Sequence, residues 1–503
     1  MRAPVQHQRL HDWWDPAVVF DTLYRDARYA FWLDAGPGTG TGFSYLGAAR
    51  TGSRLVTASV PHGTVTVSRP VDDPGTAVTT AGSIFDFLRA DLADQNLPAT
   101  PAPPGEFLLG WVGWLGYELG SVPVGTPAHP SRYADATLID VDRLLVFDHA
   151  ARTVTLVSDP DTAGPIAPWA RLVERALAAP PPAPHPGETG AAPRLDEDSV
   201  APARWRHSAQ VYADLIHRCQ AVIRRGDAYQ LCLTNEILVD GAYDDDRVYT
   251  RLREGSPTHH GGLLRFGDVS VLSASPELFL TISADGRVST KPIKGTRARS
   301  PDPLHDEQLR RDLVTSEKER AENLMIVDLM RNDLGRIAAL GSVRVRDLLR
   351  VESYPAVHQL VSTVEARVAR GLSAVDVVET CFPAGSMTGA PKRSAMTELC
   401  ALEAGPRGVY SGAFGFLSRT GAVDLAMVIR SIVLTPVQAA IGTGGGITAL
   451  SDPQDEIEET RLKAAALLLA LGRPGRPQGT VETLDRPVPA NLEQWPTPTG
   501  ASA

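Results

Sequence analysis

Two predicted helices each carry a pair of glutamates three residues apart, a spacing that puts both carboxylates on one helix face. The first helix follows Ser316, whose spacing to a glutamate three residues on is typical of a capping box. The second begins at Pro453, since proline suits the first helical position, and it also carries Lys463. The pairs are Glu319 with Glu322 and Glu456 with Glu459. Such carboxylates could hold Mg²⁺, but helix caps and solvated ion pairs give the same spacing, so both interpretations stay open.

Three cations crowd the segment KPIKGTR, which runs from Lys291 to Arg297 with Lys294 at its centre. A bound anion would offset the repulsion between these charges, and a lysine in such a cluster is a candidate nucleophile. A solvated basic turn would have the same composition.

Glycine-rich runs occur at 382–392 (FPAGSMTGAPK) and 441–447 (IGTGGGI). Three consecutive glycines cost backbone entropy without packing anything. Close approach of a ligand carboxylate to backbone N–H groups would explain that cost, and a bulge or tight turn is the alternative. A third run, GPGTGTG at 36–42, lacks the ending of a phosphate-binding loop and predicts a hairpin turn.

Composition excludes several classes of protein. The 503 residues are 43% hydrophobic with a net charge of −10 and no basic run, which argues against nucleic-acid binding. The longest apolar run, 464–471, is far shorter than the roughly 20 residues of a membrane span, and residues 1–16 contain no apolar stretch of signal-peptide length. The four cysteines lack metal or disulfide spacing. We therefore expect a cytoplasmic protein that binds neither membrane nor nucleic acid.

The elements that must position these residues read as strands joined by tight turns, among them 269–272, 278–282 and 423–434, interspersed with helices. This pattern predicts antiparallel hairpins and an α+β fold rather than a doubly wound parallel sheet. A proline-, alanine- and glycine-rich stretch, 178–205, predicts a linker or a long surface loop between an N-terminal region (1–177) and a catalytic domain (206–471). A proline-rich tail, 472–503, follows.

Seven blocks of the chain resemble the chorismate-utilising enzymes, which include anthranilate synthase component I and the isochorismate synthases. In order, they are SPELFL (275–280), KPIKGTRAR (291–299), ERAENLMIVDLMRNDLGRI (319–337), HQLVSTV (358–364), FPAGSMTGAPK (382–392), GVYSGAFGF (408–416) and GTGGGIT with DEIEETRLKA (442–448 and 455–464). The N-terminal region resembles the N-terminal lobe of anthranilate synthase component I only through FWLDA and FSYLG. The resemblance implies one α+β unit of two packed antiparallel sheets with outer helices, to which the N-terminal region contributes strands.

The resemblance also implies roles for individual residues. Glu322 and Glu459 would bind Mg²⁺, with Glu319 and Glu456 in support through water. The substrate would be held by a set of residues around the ring and its carboxylates, namely Gln230, Thr296, Thr388, Tyr410, Arg430, Gly444, Gly445, Gly446 and Lys463. His358 matches a family histidine near the ring, without a defined role.

Two positions distinguish the reactions of the family. Members that add water to chorismate carry a lysine base where this chain has Gln230, and ammonia-using members carry glutamine there. Among the latter, anthranilate synthases read PIAGT, whereas enzymes that aminate chorismate at C4 read PIKGT, as here with Lys294. The resemblance thus implies that Lys294 attacks C2 as the 4-hydroxyl leaves, with Glu277 as acid and base.

No glutaminase nucleophile motif surrounds any cysteine, so the sequence predicts that a separate glutaminase subunit supplies ammonia and a separate lyase acts on the product. Two alternatives differ in class. One is anthranilate synthase component I, which Lys294 disfavours. The other is a catalytically inactive regulatory or scaffolding subunit, which the intact motifs disfavour.

Overall fold

Two antiparallel sheets of twelve strands each form the centre of the fold, with helices on their outer faces. The computed structural model describes residues 3–38, 40–94, 105–179, 202–354 and 357–473. The strands are β1 (Gln6–Arg9), β2 (Tyr29–Asp34), β3 (Phe43–Ala48), β4 (Leu55–Ser59), β5 (Thr64–Arg69), β6 (Asp73–Ala81), β7 (Gly110–Leu115), β8 (Ala136–Val141), β9 (Arg143–Asp148), β10 (Thr153–Ser158), β11 (Arg204–Trp205), β12 (Gln230–Asp240), β13 (His260–Phe266), β14 (Val269–Ser275), β15 (Leu278–Ile282), β16 (Arg287–Thr290), β17 (Ile293–Ala298), β18 (Arg344–Ser353), β19 (Val357–Arg367), β20 (Gly389–Ala390), β21 (Ala413–Ser418), β22 (Val423–Met427), β23 (Ser431–Thr435) and β24 (Gln438–Ile447). The helices are α1 (Pro16–Tyr24), α2 (Ile84–Asp94), α3 (Ser121–Val124), α4 (Pro160–Ala163), α5 (Ile166–Ala178), α6 (Ala209–Arg224), α7 (Asp245–Gly255), α8 (Pro303–Thr315), α9 (Glu317–Gly335), α10 (Ala374–Cys381), α11 (Gly385–Thr388), α12 (Lys392–Glu403) and α13 (Pro453–Ala470).

The N-terminal region contributes strands to both sheets. The first sheet has the order β1-β10-β9-β3-β2-β13-β14-β23-β24-β12-β11, with β20 beside β12. The second has the order β17-β19-β16-β15-β22-β21-β7-β8-β4-β5-β6, with β18 beside β19. The joins between early and late strands are continuous antiparallel ladders, β2 with β13 and β7 with β21. The N-terminal strands therefore complete the same sandwich, as the resemblance implied.

Most of the core lies in three apolar layers, and a fourth cluster packs α6 and α12 against β12. Between the sheets, side chains from facing strands interdigitate, and the stacked rings of Trp114 and Phe266, 5.2 Å apart, join one sheet to the other. Helices α1, α5, α7 and α13 cover the outer face of the first sheet, and α2, α9 and α10 cover that of the second. Strands buried on both faces read as continuous apolar runs, which explains their weak alternation in the sequence.

The predicted α+β class and the two packed sheets are confirmed. The 36–42 run connects β2 to β3 as a hairpin, and 278–282 is a strand, β15. The prediction of one strand over 423–434 is wrong. The chain leaves the second sheet after β22 and enters the first at β23, because Arg430 adopts a left-handed conformation with φ of 51° that ends one strand and redirects the next.

Both predicted helix starts are confirmed. The Ser316 Oγ accepts a hydrogen bond from the Glu319 N–H at 3.4 Å, at the start of α9. The Asp452 carboxylate accepts from two backbone N–H groups ahead of α13, whose first residue is Pro453. Capping fixes where each helix begins and hence which face its glutamates occupy.

Most of the predicted linker and of the C-terminal tail lies outside the described residues, although Arg204–Trp205 pairs with β12. The four cysteines are free thiols. Among the described helices, none has the length and apolar character to cross a membrane.

Candidate active site

A cavity of about 500 Å³, here called the central cavity, lies where α9 and α13 approach each other beside β17 and β24. Thirteen of the sixteen predicted site residues line it. They are Glu277, Lys294, Thr296, Glu319, Glu322, Tyr410, Arg430, Gly444, Gly445, Gly446, Glu456, Glu459 and Lys463. Residues more than 180 positions apart in the sequence thus share one enclosure.

Two connections that cross from one sheet to the other run side by side at the cavity. Glu277 lies in the connection from β14 to β15, and Arg430 in the connection from β22 to β23. The two are hydrogen-bonded together, since the Met427 N–H donates to the Glu277 carbonyl at 3.0 Å and the Ala274 N–H donates to the Arg430 carbonyl at 3.1 Å. Each crossing therefore fixes the backbone of the other, and both polar side chains line the central cavity.

The three glycines lie in a regular strand. β24 pairs with β12 along its full length, but its other edge pairs with β23 only up to Ile441. Beyond that point no described strand pairs with this edge of β24, so the edge is open at Gly444–Gly446, which line the cavity. A Cβ on Gly445 would lie 2.8 Å from the Glu456 carboxylate, and one on Gly446 would collide with the Gln230 amide. The close approach of Glu456 and Gln230 to the backbone therefore favours glycine at 445 and 446. The alternative of a bulge or tight turn at these glycines does not occur.

Helices α9 and α13 present their glutamates to the cavity from opposite sides, because α9 packs against β17 and β19 while α13 packs against β24. Glu322 lies 4.0 Å from the Lys294 Nζ and Glu319 lies 3.5 Å from the Arg297 guanidinium. On α13, Glu459 lies 2.6 Å from the Lys463 Nζ. Opposed carboxylates and cations thus share a small volume.

Burial governs the titration of these carboxylates. It raises the pKa of Glu322, which Lys294 and Lys318 partly offset. It also raises the pKa of Glu456, although a hydrogen bond from Ser451 opposes it. Burial would raise the pKa of Glu459 as well, but Lys463 outweighs it and leaves that pKa lowered.

Glu277 is set apart from these four. Desolvation raises the pKa of its carboxyl, opposed first by the charge of Lys294, then by a hydrogen bond from Ser386 and the charge of Lys463. A carboxyl that keeps its proton more readily than a free glutamate suits a general acid.

Lys294 enters the cavity from an irregular strand. The register of β17 against β19 shifts between Ile293 and Thr296, and Gly295 has φ of +82°. A Cβ at Gly295 would lie 2.9 Å from the Glu319 carboxyl carbon. The bulge turns Lys294 inward, and the missing side chain at the next position lets α9 bring its carboxylates close.

Three predicted site residues do not line the cavity. His358 is buried behind the wall, hydrogen-bonded to Ser353 at 2.8 Å and to Asp306 at 3.1 Å. Successive strand residues face opposite sides, and it is the next residue, Gln359, that lines the cavity. A substrate bound in the cavity would therefore not contact His358 directly, and the role of His358 stays a prediction.

Gln230 and Thr388 are buried next to the cavity. The Gln230 side chain packs against Gly446, and its Oε1 lacks a hydrogen-bond partner among the described residues. The Thr388 hydroxyl donates within its own turn, to the carbonyls of Gly385 and Gly389. Their predicted contacts with substrate would require a bound ligand to reach past the lining residues.

Several lining residues were not predicted, among them Cys232, Lys318, Gln359, Ser386 and Met387. Ser386, Met387 and Gln359 belong to blocks that carried the resemblance, so their presence was signalled without a role. Cys232 lies two residues after Gln230 on β12, hence on the same strand face, which strand alternation alone could have indicated.

Residues 45–469 match the family described as chorismate binding enzyme. An aminodeoxychorismate synthase from Streptomyces griseus is 45% identical over 92% of this chain, which spans 64% of that relative's length. Anthranilate synthase component 1 from Streptomyces coelicolor is 36% identical, with 94% of this chain and 89% of the relative covered. The crystal structure of anthranilate synthase component I from Streptococcus pneumoniae has a TM-score of 0.67 and 27% identity, covering 88% of this chain and 92% of that one.

The match spans both sheets and the whole central cavity, and it includes the strands of the N-terminal region from β3 onward. The chain belongs to the family of chorismate binding enzymes.

Proposed function

We propose that this chain converts chorismate and ammonia to 4-amino-4-deoxychorismate and water. The observation that carries the proposal is the placement of Lys294 inside the central cavity, between Glu322 and the open edge of β24. A primary amine at this point can bond to the substrate ring. The similarity to aminodeoxychorismate synthases supports the same reaction, although the chain spans about two thirds of the length of such a relative.

The reaction balances in two displacements. The Lys294 nitrogen bonds to C2, the ring double bonds shift, and the C4–O bond breaks while Glu277 gives its proton to the departing hydroxyl, which leaves as water. Ammonia then bonds to C4, the double bonds shift back, and the bond from C2 to Lys294 breaks. Glu277 recovers the proton that ammonia loses, so the lysine and the acid both return to their starting forms.

The cations of the cavity are suited to the two substrate carboxylates. Within the described part of the chain, Arg430 makes no ion pair, so its planar guanidinium remains available for a carboxylate. Tyr410 and the open edge of β24 lie in the same wall, which places a hydroxyl and backbone N–H donors near that guanidinium. We assign this wall to the enolpyruvyl carboxylate.

The four helix glutamates fit a Mg²⁺ ion. They are hard oxygen ligands, and the raised pKa values of Glu322 and Glu456 reflect burial and neighbouring negative charge that a dication would relieve. No three of the four glutamates have oxygens within 4.8 Å of one another. Among the described residues, only Asp244–Asp246 form such a cluster. Mg²⁺ retains several waters and takes few protein carboxylates, so Glu322 and Glu459 would bind it directly and the others through water. The ion would neutralise the ring carboxylate.

Ammonia would come from a separate glutaminase subunit. Burial raises the pKa of each of the four free thiols and outweighs the cations near them, so none has the lowered pKa of an activated cysteine nucleophile. We therefore expect the purified chain to use ammonium salts and not glutamine, and to gain glutamine use when a cognate glutaminase is added.

Anthranilate synthesis is the second candidate, favoured by the similarity to anthranilate synthase component 1 over 94% of this chain. Mass spectrometry of the products from chorismate, ammonium and Mg²⁺, with and without a lyase, separates the two. We expect aminodeoxychorismate, which the lyase converts to p-aminobenzoate. Anthranilate as the sole product would refute C4 amination.

A further inference from the structure

Arg407 lies behind the wall of the central cavity and uses every donor it has. The side chain is 1% exposed and lies in the connection from α12 to β21. Two of its five N–H groups donate to the Glu403 carboxylate at 2.8 and 2.7 Å. The others donate to the carbonyls of Met387 at 2.6 Å and Cys232 at 2.8 Å, and to the Ser411 hydroxyl at 3.4 Å. A guanidinium has five donors, so none is left over.

The acceptors outside the ion pair belong to three separate stretches of the cavity wall. Cys232 is on β12, Met387 is in α11, and Ser411 follows Tyr410. Cys232, Met387 and Tyr410 line the cavity, whereas Arg407 does not. Ser411 has φ of 66°, a left-handed conformation that costs free energy unless its surroundings hold it. One buried cation therefore ties together wall segments that are far apart in sequence.

The frame around Arg407 is itself fixed. The buried Glu118 carboxylate accepts from the backbone N–H groups of Arg407 at 2.8 Å and Gly408 at 3.0 Å. Glu403, besides its ion pair, accepts from the Thr234 N–H on β12 at 2.9 Å. Backbone and side chain of Arg407 are thus both held, so its position is transmitted to the groups it contacts.

We infer that Arg407 is a positioning residue that sets the distance between Tyr410, Met387 and Cys232 and thereby shapes the wall against which chorismate binds. This inference deepens the proposed function and rests on it for the identity of the ligand. A second buried arginine provides the comparison. Arg419 is 4% exposed and pairs with Asp159 at 2.7 Å, but neither residue lines the cavity.

The test measures chorismate binding by titration calorimetry, in Mg²⁺ and without ammonia, for Arg407→Lys and Arg419→Lys. A lysine carries three donors on one nitrogen and cannot reach acceptors on three wall segments at once. We expect the Kd of Arg407→Lys to rise at least tenfold and that of Arg419→Lys to stay within twofold, while both variants melt at lower temperature than the wild type. Equal Kd changes in the two variants would mean a purely structural role and overturn the inference.

A double substitution tests the route of the effect. If Arg407 acts through Tyr410, then Arg407→Lys should raise the Kd much less in a Tyr410→Phe background than in the wild type. Should Arg407→Lys fail to fold, Glu403→Gln keeps the side-chain shape, weakens the hold on the guanidinium, and should raise the Kd several-fold. A wild-type Kd in a folded Arg407→Lys or Glu403→Gln chain overturns the inference alone. Failure of the unaltered chain to bind chorismate would refute the proposed function instead, and the inference with it.

Discussion

The central cavity and a larger cleft on the outside of the first sheet hold similar charges in different ways. The outer cleft, of about 990 Å³, lies between the end of α1 and the start of α7. Its buried cation, Arg265, lies 2.7 Å from Asp245 and 2.8 Å from Asp246, and it also donates to three backbone carbonyls. In the central cavity the Lys463–Glu459 pair is equally close, at 2.6 Å, but the Lys294–Glu322 distance is 4.0 Å and the Arg430 guanidinium forms no ion pair within the described ranges.

Ligand binding is expected where charged side chains are not already paired with one another. Charges that already satisfy one another gain little from a ligand, since its binding would first have to displace their own pairs. Charges held apart by the fold are left with unused capacity for hydrogen bonds and Coulomb attraction. Cavity volume alone would favour the outer cleft, whereas the state of the ion pairs favours the smaller central cavity.

The largest effect is expected from the helix carboxylates. Glu322→Gln or Glu459→Gln should lower kcat/KM by about 10³-fold, because each removes a proposed Mg²⁺ ligand whose charge acts in a water-poor site. Glu458→Gln is the matched control, since this exposed neighbour on α13 pairs with Arg461 at 3.8 Å and does not line the cavity. Steady-state kinetics over a Mg²⁺ series, with circular dichroism for folding, measures this. Wild-type activity of both cavity variants at low Mg²⁺ would remove the metal assignment.

A smaller loss, about 10²-fold in kcat, is expected for Glu277→Gln, since an amide cannot donate a carboxylic proton. Because burial raises the pKa of Glu277, the wild type should keep the acid form to higher pH than a free glutamate and lose kcat as pH rises through that pKa. The pH profile of kcat for the Gln variant should lack this fall at alkaline pH, here called the alkaline limb. In Lys463→Met the limb should move to higher pH, because Lys463 lowers the pKa. A limb unchanged in Glu277→Gln would assign it to another group.

Arg430→Lys should raise the KM for chorismate about tenfold and change kcat less. Lysine keeps the charge but loses the paired donors that match a carboxylate. Arg247→Lys, in the outer cleft, should leave the KM within twofold of the wild type. Initial rates over a chorismate series decide the point. A KM shift in both variants, or in neither, would contradict the contrast between the two regions.

The smallest effect on catalysis is expected in the outer cleft itself. Asp246→Asn should change kcat/KM less than twofold. Burial raises the pKa of Asp246 to about 6, so its ionised form is disfavoured in the folded state and its contribution to stability falls as pH rises through that value. Melting curves between pH 4 and pH 8 should therefore show a weaker decline with pH in the Asn variant. A large loss of activity would give the cleft a role in the reaction.

Local signals predicted much of the site. Ser316 and Asp452 fix where α9 and α13 begin, and from those starts the helical period alone puts the four glutamates on the facing sides. The hairpin at 36–42 and strand β15 follow from turn residues and apolar patterning. These features depend on neighbours within a few positions, which is why the sequence alone reveals them.

Features set by distant contacts were missed. The run 423–434 is mostly apolar because β22 and β23 are both buried, and Arg430 within it does not by itself indicate a passage between the sheets. On β19 both faces are buried, so the pattern does not tell whether His358 or Gln359 meets the cavity. Arg407 is brought to Cys232 and Met387 only by the folding of distant segments, so no local sequence pattern predicts its hydrogen bonds.

Intact-mass spectrometry of the protein tests directly whether Lys294 is the nucleophile for C4 amination. The wild type, quenched after mixing with chorismate and Mg²⁺ but without ammonia, should gain the mass of chorismate less one water, and peptide mapping should place the adduct on Lys294. Lys294→Ala should show no adduct, lose most aminodeoxychorismate formation, and yield at most a little C2-aminated product. An alanine variant that forms aminodeoxychorismate at the wild-type rate would contradict covalent catalysis by this residue.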